Sequence, residues 1–116
     1  MSTPLRFPTP RDPAVESGRE ALGRGRLEDA QASFRAALAR AESGDAHEGL
    51  AIASWYLGDA DTAVKSFESA YEQYQSSGDR ASAARVATAL GLDAELVYGR
   101  SAVASGWFQR ATADRP

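Results

Sequence analysis

The chain contains no cysteine, so disulfide scaffolds, zinc ribbons and thiol catalysis are excluded, and an oxidising compartment has left no mark. Histidine occurs once, at His47, too few for a histidine metal site. Positive charge is in short supply: 13 Lys+Arg stand against 16 Asp+Glu, for a formal net charge of -3. Neutralising phosphates requires a basic face, so direct nucleic-acid binding is not expected. No apolar run reaches membrane length. The first dozen residues, MSTPLRFPTPRD, hold three prolines and no apolar core, so they do not read as a secretory signal and the cytoplasm is the default compartment.

What is present is an internal repeat. The stretch Gly58 to Tyr71, GDADTAVKSFESAY, carries Gly58, Ala63, Phe67 and Ala70; the same types stand 33 residues earlier at Gly25, Ala30, Phe34 and Ala37. They return 41 residues later as Gly99, Ala104, Phe108 and Ala111. Three copies of G-x4-A-x3-F-x2-A in 116 residues make the period the first fact to interpret. The length is that of a single domain, and 43% hydrophobic with 25% charged residues is ordinary for a globular chain.

Pro4, Pro8 and Pro10 fix φ and remove donors, so residues 1–11 read as an extended arm in which Leu5 and Phe7 are free to dock, and residues 12–116 as the helical domain. Asp12-Pro13 reads as an N-cap followed by proline at the first helical position. A helix from about Pro13 to Leu22 ends at Gly23-Arg24-Gly25. Leu27, Ala30, Phe34, Ala37, Leu38 and Ala41 keep helical spacing in the next one. Ser43-Gly44-Asp45 and Ser77-Gly78-Asp79 look like matching punctuation, each a C-terminal glycine followed by an Asp N-cap. Between them, helices are expected over about Ala46–Leu57 and from Gly58-Asp59 to about Gln75. Asp79 to Gly99 is seven residues longer than Asp45 to Gly58, about 10 Å of extra helix at 1.5 Å per residue. The first helix of the third hairpin is therefore expected to be long, with Gly91 a possible kink. A last helix is expected over about Ser101–Ala113.

The pattern resembles the tetratricopeptide repeat, a helix-turn-helix unit of about 34 residues with small residues where backbones approach and an aromatic wedge between its helices. Gly18, Ala51 and Leu92 take the small position in the first helices. The tryptophan usual there is replaced by Ala14, His47 and Thr88, and the usual closing proline is absent. The runs LGDADTAVKSFESAYEQYQSSGDRASAARVATALG and SAVASGWFQRA are similar to the tetratricopeptide segment of bacterial LuxR-type transcriptional regulators. There the segment senses and oligomerises, while a separate helix-turn-helix domain, without counterpart in these 116 residues, binds DNA. The resemblance implies an all-α solenoid of three helical hairpins, about six helices, in a right-handed stack. Small residues and the phenylalanine wedge let the hairpins share one core.

By the same resemblance, the first helices of the hairpins line a concave groove at Arg19, Leu22, Glu48, Ile52, Trp55, Tyr56, Asp93 and Leu96, with Trp55 and Tyr56 as anchors. The groove lacks the lysine and asparagine set with which chaperone-binding relatives clamp a peptide carboxylate. Ser43, Asp45 and His47 share one loop and helix start, which is no catalytic triad, and Asp45 is better explained as an N-cap. Gly23-Arg24-Gly25 is a turn, lacking the strand and third glycine of a phosphate loop.

The last helix departs from its copies. Leu27, Gln31 and Leu38, then Ala60, Val64 and Tyr71, become Ser101, Ser105 and Thr112, a polar seam. Val103 and Trp107 form an apolar stripe where Ser33 and Ser66 stand at the latter position, which points to a protein contact such as a homodimer unless the long preceding helix covers Trp107. The expected function is therefore a non-enzymatic protein-binding or oligomerisation module, its partner a protein or a second copy. The alternative is a small-ligand sensor using the aromatic groove. Neither cofactor nor metal, nucleic acid nor membrane is expected as partner.

Overall fold

The three glycines of the repeat, Gly25, Gly58 and Gly99, all adopt positive φ, at 73°, 82° and 60°. Side chains other than glycine resist that region, so the repeated glycine is a requirement of backbone geometry. In the computed structural model, which describes residues 12–96 and 99–115, each of these glycines turns the chain between the two helices of one hairpin. The fold is all-helical, with no strand among the described residues. The helices are α1 (Pro13–Gly23), α2 (Leu27–Arg40), α3 (Gly44–Tyr56), α4 (Ala60–Ser77), α5 (Arg80–Leu96) and α6 (Ser101–Asp114). Every consecutive pair packs together, and α1 also touches α3. The expected proline-rich arm at 1–11 lies outside the described residues.

At 17 residues α5 exceeds α1 at 11 and α3 at 13, as the longer spacing implied. It runs unbroken through Gly91. That glycine is there for space, since a Cβ would press into the Phe108 ring. Gly18 stands in the same relation to Phe34. The small position of the third hairpin is therefore Gly91, and the expectation that Leu92 fills it is corrected: Leu92 is exposed. Matching residues by their distance from the phenylalanine placed Leu92 one residue out of step, and its side chain turns outward.

The caps show a second correction. Asp12 accepts from the Ala14 N–H at 2.8 Å and Asp79 from the Ser82 N–H at 3.1 Å, both as expected of N-caps. At α3 the cap is Ser43, whose Oγ accepts from the Ala46 N–H at 3.1 Å, and Asp45 lies in the first turn. Gly78 is left-handed at φ 78°, whereas Gly44 is already helical. Position 44 is glycine for room, since the Tyr74 ring lies where a side chain there would be, whereas Gly78 serves the left-handed turn.

Two apolar clusters form the core. Val15, Ala30, Phe34, Ala37, Ala46, Leu50 and Ala53 close the first hairpin against α3. Ala51, Phe67, Ala70, Tyr74, Ala83, Val86 and Leu90 join the second hairpin to α5. Phe34 is fully buried and Phe67 nearly so, but Phe108 remains 37% exposed. The wedge thus loosens along the stack.

Candidate binding groove

Large apolar side chains are left in water at one place above all. Trp55 and Tyr56 in the last turn of α3 are 39% and 70% exposed, and Leu92 and Leu96 at the end of α5 are 48% and 78% exposed. They surround a hollow of about 410 Å³, completed by Ile52, Phe67, Ala89 and Asp93. The hollow lies between the C-terminal halves of α3 and α5, which are joined nearer their starts by the Arg85–Glu48 pair. Five of the eight groove positions read from the sequence, Ile52, Trp55, Tyr56, Asp93 and Leu96, come together here. Leu92 and Ala89 were missed; the available signal was Gly91, the small residue that sets the outward direction of Leu92.

Arg19, Leu22 and Glu48 line a separate hollow of about 240 Å³ nearer α1, and Ile52 touches both. Its charges are satisfied from within. Arg19 Nη2 lies 3.1 Å from Asp45 Oδ1. Arg85 donates from Nε and Nη2 to the two oxygens of Glu48, at 2.9 and 2.8 Å, a bidentate pairing. The Tyr74 hydroxyl reaches Glu48 Oε1 at 2.7 Å and Asp45 Oδ1 at 2.9 Å, two carboxylates sharing one proton. Burial, followed by Glu48 and Asp45, pushes the Tyr74 pKa far above the ordinary phenol value. Glu48 likewise raises that of Arg85. This network locks α1, α3, α4 and α5 together and leaves little unpaired charge to attract a ligand.

Asp93 is the exception. It is only 6% exposed, and its Oδ1 is sealed from solvent without a hydrogen-bond partner. Burial alone raises its pKa above the ordinary carboxylate value. The residue also borders a third hollow, of about 370 Å³, on the far side of α5, with Val64, Arg100, Val103 and Trp107 among its walls.

Trp107 is partly buried. Its ring meets Tyr71 edge to face, with centroids 5.4 Å apart at 79°, and the Arg110 guanidinium carbon stands 4.4 Å from the indole centroid. Tyr71 in turn donates to Asp114 Oδ2 at 2.6 Å and accepts from Gln75 Nε2 at 2.7 Å. Tyr71 on α4 thus covers one edge of Trp107, and the indole also packs against the core cluster to which Val86 and Leu90 of α5 belong. Val103, one turn away, is 46% exposed. Ser101, Ser105 and Thr112 are exposed, whereas their counterparts Leu27, Gln31, Leu38, Ala60, Val64 and Tyr71 are half-buried against neighbouring helices.

Ser43, Asp45 and His47 do not converge: the Ser43 hydroxyl is occupied as a cap, Asp45 faces Arg19 and Tyr74, and His47 Nε2 lies 3.6 Å from Glu42 Oε1. Among the described residues no group of three or more His, Cys, Asp or Glu side chains is placed to hold a metal ion, and no helix is long and apolar enough to cross a membrane. No protein-family model, curated protein or solved structure matches the chain.

Proposed function

We propose that this chain is a non-enzymatic interaction module of tetratricopeptide type, related in role to the sensing and oligomerisation segment of LuxR-type regulators, and that it engages its partner through the groove at the ends of α3 and α5. The observation that carries this reading is the convergence of Trp55, Tyr56, Leu92 and Leu96, four large exposed apolar side chains from two helices, around one hollow. Exposed apolar surface gathered in this way is a mark of binding. The partner is a protein in the first reading. A small-ligand sensor is the second, favoured by the hollow's volume of about 410 Å³ and its mainly apolar walls, which suit a small molecule.

Trp55→Ala tests both. The wild-type chain should retain a reproducible set of captured proteins or show ligand-induced melting shifts across a small-molecule panel, and Trp55→Ala should lose them. A variant that keeps both responses unchanged overturns the groove as the binding site.

A further inference from the structure

Asp93 is a buried carboxylate whose Oδ1 meets no hydrogen-bond partner, and Lys65 and Arg100 border it only from the hollow on the far side of α5. Its neighbours in the α3–α5 hollow are apolar or aromatic, and among the described residues no Lys or Arg lines that hollow. It is nine-tenths buried, and Oδ1 has no donor. A buried carboxylate without a partner destabilises the fold unless something else supplies the missing positive charge. Its place in the fold adds to the imbalance. Asp93 lies in the last turn of α5, where the helix dipole is already negative, and Trp55 and Tyr56 bring the corresponding end of α3 to the same hollow. Neither helix has a basic residue in its last turn.

The hollow therefore combines a buried negative group, two negative helix ends and two aromatic rings. Anions are disfavoured there on every count, and a neutral apolar guest would leave Asp93 as unpaired as before. A cation with an apolar body answers all three features: its N–H groups satisfy the carboxylate, its charge suits the helix ends, and indole and phenol faces attract it.

Resting on the groove reading above, we propose that the hollow between α3 and α5 binds a small organic amine in its ammonium form, primary or secondary. Its head is held against Asp93 and its apolar body against Trp55, Tyr56, Leu92 and Leu96. Burial raises the Asp93 pKa, and an ammonium beside the carboxylate would favour its charged form again.

The test compares three guests sharing one hexyl body: hexylammonium, hexanol and heptanoate. Each is titrated into the full chain near neutral pH while the Trp55 indole N–H and the Leu92 and Leu96 amides are followed by NMR. Hexylammonium is expected to bind about tenfold more tightly than either of the others. Asp93→Asn should abolish that preference while leaving amide dispersion as in the wild type. Equal affinity for the three guests, or an ammonium preference that survives in Asp93→Asn, overturns the amine site and leaves the apolar groove standing. If none of the three shifts the groove resonances, the amine site and the small-ligand reading both fall.

Discussion

The Phe34 ring fills the space that a side chain at Gly49 would need. Phe34 belongs to the first hairpin and Gly49 to the second, so this contact sets how closely the two approach. Gly49→Ala is expected to lower stability by about 1–3 kcal/mol through overpacking, although alanine favours helix by up to ~1 kcal/mol. Gly106→Ala, in α6 with open space around it, should instead be neutral or stabilising by up to about 1 kcal/mol. Urea melts of the two variants decide the matter, and a Gly49→Ala chain as stable as the wild type would mean that the hairpins do not depend on this approach.

A second prediction concerns Asp93 and pH. Its folded pKa is raised above the ordinary 3.8, so between those two values the unfolded chain holds fewer protons than the folded one. Stability attributable to this group is therefore full below the ordinary value and falls as pH rises through the raised one. Other charged groups border Asp93 from the far side of α5, namely Asp61, Lys65 and Glu68 on α4 and Arg100 before α6; Asp93→Asn leaves them all in place and isolates the contribution of this one carboxylate. The variant should be more stable than the wild type at neutral pH by about 1 kcal/mol, with the gap closing as pH falls toward the ordinary carboxylate value. A pH-independent gap would show that the carboxylate is not buried in its charged form.

The repeated glycine, alanine and phenylalanine made the hairpins legible because each answers a local demand: a left-handed turn at Gly58, close helix approach at Ala63, and the wedge at Phe67. The groove residues were read from the resemblance to stacked helical hairpins, whose first helices line one face, and five of those eight residues meet at the α3–α5 hollow. Tertiary contacts decided the rest. Two identical Ser-Gly-Asp triplets folded differently: Gly44 starts a helix with the Tyr74 ring against it, and Gly78 closes one with a left-handed turn. Leu92 and Gly91 exchanged roles because the Phe108 ring lies where a side chain at position 91 would be. Nor does spacing reveal that an aspartate near a helix end is dry, since most such residues face water.

Trp107 and Val103 are separated by the third prediction. Trp107 packs on Tyr71 and beneath Arg110, so Trp107→Ala should cost about 2–4 kcal/mol in a urea melt. Val103 is 46% exposed, and Val103→Ser should cost less than about 1 kcal/mol. If the α6 stripe mediates self-association, light scattering should show a mass that rises with concentration in the wild type and stays monomeric in Val103→Ser. A mass that Val103→Ser leaves unchanged excludes Val103 as a self-association contact, and a loss seen only in Trp107 variants would reflect damage to the fold.

The last prediction lies at alkaline pH, where the Tyr74 hydroxyl shared by Glu48 and Asp45 should become a liability. Its folded pKa is raised above the ordinary 10.0, by burial first and by the two carboxylates after. Once pH exceeds the ordinary value, the unfolded chain releases this proton and the folded chain holds it, so stability falls as pH rises. Tyr74→Phe removes that loss but also removes the shared donor, leaving two carboxylates facing one another. It should therefore begin about 1–2 kcal/mol less stable at neutral pH and show a flatter decline above pH ~10. Tyr71, whose pKa is also raised, should leave a residual slope in both proteins. Parallel curves for wild type and Tyr74→Phe would mean that the hydroxyl is not held between Glu48 and Asp45 in solution.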